Sequence, residues 1–304
     1  MATPNGSGLR VLWASDGSES ARSAIPLLRR LVLPAAQRLA VLSVAPHSFL
    51  AGSRPDPRLL TRPTPALRRR ALPEAQQEAQ RSATELDPED TEVEALSRWG
   101  NPINEVLRQA RLDGSDLIVL GAKGHSNLRL ILLGSVSQGV VHHATRPVLI
   151  ARSSASDLSE IVVGFDGSTH ARRAIDFLER LNPAPDISVR LVFVIEPLLL
   201  PEGMPRAFRR MATENAEHID ERRLEAARTG LNHVAHRLRA PGRHVETEAV
   251  QGESGPVLEE VAARNGASLI VVGSRKPSRE RHYLLGSTAE KLVRHSQASV
   301  LVVR

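Results

Sequence analysis

The stretch Leu117-Ile118-Val119-Leu120-Gly121-Ala122-Lys123-Gly124 decides the fold, and Gly134-Ser135 follows it after nine further residues. The apolar run predicts a short buried strand. The glycines after it predict a loop whose backbone can approach a ligand without a Cβ in the way. A helix that begins near Ser135 would point its free N–H groups at an anion. The stretch therefore predicts a strand–loop–helix unit that can hold phosphate.

The same arrangement occurs a second time in the chain. Leu269-Ile270-Val271-Val272-Gly273-Ser274-Arg275-Lys276 is followed after nine residues by Gly286-Ser287, at an offset of 152 residues (273 − 121). Asp16-Gly17-Ser18 likewise matches Asp166-Gly167-Ser168, at an offset of 150 (166 − 16). A repeat this long in a chain of 304 residues indicates a tandem duplication. We expect a first domain at residues 1–153 and a second at 158–304.

Each half alternates predicted strands and helices. For the first half the expected order is strand Arg10–Ala14, helix Glu19–Val32, strand Leu39–Val44, helix Pro73–Leu86, strand Glu92–Leu96, helix Pro102–Leu112, strand Leu117–Leu120, helix Ser135–His143 and strand Val148–Ala151. Short apolar strands are typical of parallel strands that are buried on both faces. The fold class is thus α/β, with two tandem Rossmann-like, doubly wound domains, each carrying a five-stranded parallel sheet. Ligands of such sheets bind at the carboxyl ends of the strands, where Asp16 and Gly121 are both expected.

Composition limits the function classes. The chain has no cysteine, which excludes disulfides and thiol chemistry. No apolar run approaches the ~18–20 residues of a membrane span, so we expect a cytoplasmic protein without membrane association. The net charge of +6 and the arginines between Pro46 and Pro73 raise the possibility of nucleic-acid binding. The 3% aromatic content and the lack of a nucleic-acid motif favour a solvated crossover instead.

The pattern Gly121-x2-Gly124-x9-Gly134-Ser135, together with Asp16-Gly17-Ser18, resembles that of universal stress proteins of the ATP-binding type. The resemblance covers essentially the full chain as a tandem pair. It implies that the ligand is an adenine nucleotide, namely ATP with or without Mg²⁺. It also implies a stress-response role, in which nucleotide occupancy changes conformation or the choice of an unknown protein partner.

The resemblance assigns roles to residues of the first half by position. Asp16 would contact the ribose and a metal ion on the phosphates, Val44 would meet adenine through its backbone, and Gly121 would pack near the ribose. The phosphates would be surrounded by Gly124, Gly134, Ser135 and Val136. Simpler readings remain open: Asp16-Gly17-Ser18 as a turn and helix cap, the glycines as turn residues, and Val44 as a core residue.

The second half departs from this pattern at one informative position. Lys276 replaces Gly124, and lysine tolerates a positive φ poorly, although its ammonium could instead pair with phosphate as a point charge. The positions retained there are Asp166, Val194, Gly273, Gly286, Ser287 and Thr288. We therefore expect weaker nucleotide binding in the second half, or none.

Other features predict little chemistry. His142 and His143 end a predicted helix, and His233 and His236 lie three residues apart on another, where a solvated face is the simpler reading. We expect no catalytic residue and no resident metal site. Two alternatives to a nucleotide-dependent regulatory module stay open: a nucleotide-independent interaction module with vestigial sites, and a slow ATPase.

Assembly can also be predicted from the resemblance. The strands that end the two domains, Val148–Ala151 and Val300–Val303, correspond to edge strands that pair between protomers in the family. An open apolar edge invites aggregation, so it should be covered. We expect the two halves of this chain to form an intramolecular pseudo-dimer, with homodimerisation open as a further step.

Overall fold

A computed structural model of the chain describes residues 8–46, 65–86, 91–123, 133–152, 158–196, 206–239, 241–274 and 285–304. The chain divides into two compact units, and the main division in the sequence falls between Ser156 and Asp157.

The first unit contains five strands with helices between them. Its described elements are β1 (Leu9–Ala14), α1 (Glu19–Arg22), α2 (Ile25–Leu27), a π turn (Leu28–Val32), a 3-10 turn (Leu33–Ala35), β2 (Ala36–Pro46), α3 (Pro65–Leu86), β3 (Glu92–Gly100), α4 (Pro102–Leu112), β4 (Leu117–Gly121), α5 (Ser135–His143) and β5 (Val148–Ala151). The strand order is β3-β2-β1-β4-β5, and all neighbours are parallel. Because β1 lies in the middle, the chain winds to one side through β2 and β3 and then returns through β4 and β5.

The second unit repeats this plan. Its described elements are β6 (Glu160–Gly164), α6 (Thr169–Leu181), β7 (Ser188–Ile195), α7 (Arg206–Leu238), β8 (Val245–Gln251), α8 (Ser254–Arg264), β9 (Leu269–Gly273), α9 (Ser287–His295) and β10 (Ser299–Val303). The strand order is β10-β9-β6-β7-β8, again with parallel neighbours. The predicted α/β class with two doubly wound, five-stranded parallel sheets is confirmed.

Aliphatic residues of the central strands form the cores. Val119 in the first unit and Val271 in the second are fully buried, since helices cover both faces of each sheet. Trp13 of β1 is also fully buried and is the largest side chain in the first core. This burial fixes the strands in register, so that their carboxyl ends share one edge.

Two predicted helices have different bounds from those expected. The helix expected at Glu19–Val32 is broken into α1, α2 and a π turn. Pro26 explains the break because it has no N–H to donate to the carbonyl of Arg22.

The helix expected to begin at Pro73 begins at Pro65 instead, with Pro73 inside it. Residues 65–72, which the sequence indicated as crossover, are therefore helical, and Arg68, Arg69 and Arg70 are exposed on α3. The small residues Ala71 and Ala75 hold this part of the helix in place by packing on Ala45 and Trp99. The crossover arginines Arg54, Arg58 and Arg62 lie outside the described residues.

Candidate functional site

Strand pairing brings two of the predicted site loops together. Parallel pairing of β1 with β4 sets Ala14 beside Leu120. Asp16 follows the end of β1 by two residues, and Gly121 is the last residue of β4. The Asp16 loop and the start of the glycine loop are therefore neighbours at the carboxyl edge of the first sheet.

Asp16 is exposed at this edge and also organises its own loop. Its Oδ1 accepts hydrogen bonds from the backbone N–H of Ser18 at 3.1 Å and from the Ser18 hydroxyl at 2.6 Å. The Ser18 Oγ in turn accepts from the N–H of Ala21 at 3.2 Å and caps α1. The interpretation of Asp16-Gly17-Ser18 as a turn and helix cap is thus confirmed for the local structure. It does not exclude a ligand, because the carboxylate lies on the surface at the sheet edge.

The two ends of the glycine loop are held by side chains and backbone. The N–H of Lys123 donates to Ser20 Oγ at 2.7 Å, which ties the start of the loop to α1. The N–H of Gly134 donates to the carbonyl of Ala122 at 2.7 Å, which closes the loop. The Ser137 hydroxyl donates to the carbonyl of Gly121 at 2.7 Å and joins α5 to β4. Residues 124–132, including the predicted site residue Gly124, lie outside the described part of the chain.

Gly121 has a packing reason to be glycine. A Cβ at this position would lie 2.3 Å from the backbone oxygen of Ser20. Since that oxygen belongs to the backbone of α1, it cannot move aside cheaply. The glycine therefore permits α1 to approach β4 closely, and through this contact it positions the Asp16 loop.

The start of α5 is suited to an anion. Gly134 is the N-cap and supplies no side-chain hydrogen bond, and the first turn contains no acidic residue. The first N–H groups of a helix have no partner within the helix and carry its positive dipole end. Ser135 is exposed there and Val136 is partly buried. Backbone donors and a hydroxyl are thus gathered next to the glycine loop.

Val44 lies near the carboxyl end of β2, at the same edge of the sheet as the Asp16 loop. The N–H of Ser15 donates to the carbonyl of Leu42 at 3.0 Å, so Val44 lies two residues beyond the last contact of β2 with the β1 end. It pairs with Arg98 of β3 and is partly buried, unlike the core residues of β2.

The second unit reproduces much of this geometry. Asp166 Oδ1 accepts from the N–H of Ser168 at 2.9 Å, and Ser168 Oγ caps α6 by accepting from Ala171 at 3.1 Å. A Cβ on Gly273 would lie 2.4 Å from the backbone oxygen of His170, just as a Cβ on Gly121 would lie close to the backbone oxygen of Ser20. Val194 is partly buried near the end of β7, as Val44 is on β2.

The helix start in the second unit differs in charge. Gly286 is the N-cap of α9, and Ser287 and Thr288 follow it as in the first unit. Glu290, however, adds a carboxylate to the first turn, and no acidic residue occupies the first turn of α5. Glu290 pairs with Arg294 of the same helix, which neutralises part of its charge, and the remaining negative charge at the helix N-terminus opposes anion binding. Lys276 lies outside the described residues.

Sequence reasoning missed two residues that the structure brings to the first site. Ser20 holds the glycine loop through Lys123, and its position in the first turn of the helix after Asp16 was an available signal. Glu78 of α3 packs its carboxylate against Gly17. Nothing in the local sequence indicates that contact, because Glu78 lies 61 residues further along the chain (78 − 17).

The histidines do not gather into a site. His143 Nδ1 lies 2.7 Å from the carbonyl of Gly139 in the last turn of α5, while His233 and His236 are both exposed on α7. Within the residues that the structure describes, no group of three or more His, Cys, Asp or Glu side chains could hold a metal ion. Among the same residues, no helix is both long enough and apolar enough to cross a bilayer.

Fold and strand order together define a tandem, Rossmann-like α/β protein, with the strands of each unit ending at one shared carboxyl edge. The model of the family described as the universal stress protein family matches residues 9–152 and again residues 158–304. The chain belongs to the universal stress protein family, as a tandem member.

Individual relatives match one or both halves. Universal stress protein MJ0577 of Methanocaldococcus jannaschii is 26% identical over 156 residues, which are 48% of this chain and 96% of that protein. Universal stress protein G of Escherichia coli O157:H7 is 36% identical over 88 residues, 29% of this chain and 58% of that protein. The crystal structure of a universal stress protein from Archaeoglobus fulgidus DSM 4304 aligns with 97% of this chain and 96% of its own, at a TM-score of 0.65 and 20% identity. At this identity the structural match shows the shared fold.

Proposed function

We propose that the first unit binds an adenine nucleotide, and that the protein acts in the stress response as a nucleotide-dependent regulatory or interaction module. One observation carries the proposal. The exposed Asp16 carboxylate and the uncapped start of α5 flank a single glycine loop, which Ser20 ties to the Asp16 helix. A nucleotide offers hydroxyl donors at one end and anionic oxygens at the other, and this edge offers a partner for each.

The residues present fit ATP in their chemistry. The carboxylate of Asp16 would accept hydrogen bonds from ribose hydroxyls, or would face a Mg²⁺ ion that accompanies the phosphates. The N–H groups of Ser135 and Val136 and the Ser135 hydroxyl would hold phosphate, with Gly124 and Gly134 allowing close approach. The backbone of Val44 would meet the adenine, and Gly121 would pack near the ribose.

The proposal is asymmetric between the two units. The corresponding positions of the second unit are Asp166, Val194, Gly273, Gly286, Ser287 and Thr288. The carboxylate of Glu290 in the first turn of α9 and the Lys276 replacement both argue against tight phosphate binding there. We therefore assign the main nucleotide site to the first unit, within proposed domain bounds of 1–153 and 158–304.

A direct test is mass spectrometry of small molecules released when the purified full chain is denatured, followed by calorimetric titration with ATP. Bound adenylate, or a single ATP equivalent per chain, supports the proposal. If the protein is folded but releases no adenylate and binds no ATP, the nucleotide-independent interaction module is favoured. ADP formation over hours by the wild type, absent when the ATP site is mutated, would instead support the slow ATPase.

The protein partner, the cytoplasmic location and the intramolecular pseudo-dimer stay predictions. Light scattering of the full chain measures whether it forms homodimers. Capture of partners in the presence and absence of ATP tests whether the nucleotide controls association.

A further inference from the structure

A chain of hydrogen bonds fixes Glu78 beside the Asp16 loop of the first unit. The N–H of Gly17 donates to Ser15 Oγ at 3.3 Å, Ser15 Oγ lies 2.8 Å from Ser82 Oγ, and the Ser82 hydroxyl donates to Glu78 Oε1 at 3.3 Å. Each hydroxyl has one proton. Since Ser82 donates its proton to a carboxylate, which only accepts, Ser15 is the donor in the bond between the two serines. The four groups thus form one directed chain that ends on the carboxylate.

The serines in this chain are buried, so their hydrogen bonds are costly to lose. Ser15 is 3% exposed and Ser82 is 1% exposed. Buried hydroxyls require partners, and each of these two has a donor on one side and an acceptor on the other. The chain therefore holds α3 against the β1–α1 loop and gives the Glu78 carboxylate a defined position.

That position is directly over Gly17, the residue after Asp16. A Cβ on Gly17 would lie 2.4 Å from both Cδ and Oε1 of Glu78 and 2.7 Å from Oε2. The carboxylate occupies the space that a side chain at position 17 would take, while 20% of the Glu78 side chain remains exposed. Its Oε2 forms an ion pair with Arg81 Nη1 at 3.9 Å, a distance too long for a hydrogen bond. An acceptor oxygen is thus presented next to the Asp16 loop.

The second unit lacks this arrangement. Gly167 has nearly the same backbone as Gly17, with φ of 75° against 73°. Among the residues that the structure describes, none lies within 4 Å of a Cβ added at Gly167. Phe165 stands where the first unit has Ser15, so the hydrogen-bond chain cannot form there. Glu78 therefore distinguishes the first site from the second independently of the glycine loop.

We propose that Glu78 is a specificity-determining residue of the first site, where it accepts hydrogen bonds from the sugar hydroxyls of the bound nucleotide. This inference rests on the proposed function. A carboxylate beside Asp16 disfavours phosphate on this side of the loop and favours hydroxyl donors. The acid-free start of α5 favours phosphate at the other end. The two ends together set the direction in which a nucleotide lies along the edge.

Calorimetric titration of the full chain with ATP and with 2′,3′-dideoxy-ATP tests the proposal. Wild type should bind ATP more tightly, and Glu78→Gln should reduce the ratio of the two affinities by about tenfold, the effect of one charge-assisted hydrogen bond. Ser82→Ala, which keeps the carboxylate but removes its tether, should reduce the ratio less. Glu74→Gln is the matched control, since Glu74 lies one turn away on α3 with a side chain 66% exposed. Its affinity ratio should equal that of wild type.

The outcomes separate the two proposals. If wild type binds neither nucleotide, the proposed function fails. If wild type binds ATP but Glu78→Gln keeps the wild-type ratio, Glu78 is not a specificity residue. An equal gain in affinity for both nucleotides in Glu78→Gln also overturns the inference, because Glu78 would then only repel phosphate. Circular dichroism of each variant checks that the fold persists.

Discussion

The backbone N–H of Lys123 donates to the hydroxyl oxygen of Ser20 across 2.7 Å. This bond joins the first residues of the glycine loop to the helix that follows Asp16. A ligand that contacts either loop is therefore coupled to the other through one side chain. His170 occupies the corresponding place in the second unit, where it packs against Gly273 through its backbone.

Ser20→Ala should weaken nucleotide binding with little effect on folding. The substitution removes the acceptor for the Lys123 N–H, and we expect the glycine loop to lose a hydrogen bond worth about 1 kcal/mol. Calorimetric titration with ATP measures the loss. Thr84→Ala is a suitable control, since it removes an exposed hydroxyl bonded only within α3, at 2.9 Å from the carbonyl of Gln80. Equal ATP affinities for wild type and Ser20→Ala would show that the bond does not support the site.

Asp16→Ala should lower ATP affinity by the value of a charge-assisted hydrogen bond, about 1.5–3 kcal/mol. The residue is exposed in a loop, so most of the folding stability should survive. Asp166→Ala removes the equivalent Ser168 contact in the second unit and should leave ATP affinity unchanged. A large fall in melting temperature with unaltered ATP affinity in Asp16→Ala would reduce Asp16 to a structural role.

Gly121→Ala should destabilise the first unit. The new Cβ meets the Ser20 carbonyl oxygen at 2.3 Å, and overpacking of this kind costs about 1–3 kcal/mol. Gly230→Ala makes a useful comparison, because Gly230 is exposed within α7 and no described residue lies within 4 Å of an added Cβ. That substitution should stabilise the protein by about 1 kcal/mol through helix propensity. Denaturant unfolding of both variants should show shifts of opposite sign; a neutral Gly121→Ala would contradict the close approach.

The fold could be predicted from the sequence because the patterns that indicate its strands are local and occur in both halves. The apolar run Leu117–Leu120 and its copy Leu269–Val272 both form the buried strands that were predicted. The sequence places the beginning of α3 at Pro73, eight residues after its true beginning at Pro65. The first eight residues of the helix are held partly by tertiary packing of Ala71 and Ala75, which no local pattern reports.

Part of the candidate site could also be predicted, because the Asp16 and Gly121 loops each follow a recognisable strand. Asp16 and Gly121 were predicted to share an edge, and strand pairing brings them there. Glu78 could not have been found, because its place depends on how the crossover returns α3 to the sheet. Its contact with Gly17 is visible only once the helix is packed.

An ion-pair cluster in the second unit predicts how stability depends on pH. Arg190 of β7 lies 2.7 Å from Glu160 of β6, with both side chains 15% exposed, and it also pairs with Glu246 of β8. Burial lowers the pKa of Arg190, but the hydrogen bond and charge of Glu160, and next the charge of Glu246, raise it overall. The hydrogen bond from His244, followed by the charge of Arg190, lowers the pKa of Glu246 in spite of some burial. The cluster thus favours the charged form of Glu246 in the folded state.

Arg190→Met should therefore destabilise the protein at neutral pH and much less in acid. A carboxylate whose folded pKa is depressed contributes stability above its unfolded pKa, about 4.3 for glutamate, and loses it as the pH falls through the folded value. At pH 7 we expect a loss of about 2 kcal/mol, because the variant also leaves the partly buried Glu160 without this partner. Calorimetric unfolding between pH 7 and pH 3.5 should show the gap between wild type and variant closing below pH 5. Arg228→Met, which removes a surface pair with Glu225 at 3.6 Å, should show no such gap. A gap that stays constant down to pH 3.5 would mean that Arg190 stabilises the sheet by packing of its aliphatic stem and not by its charge.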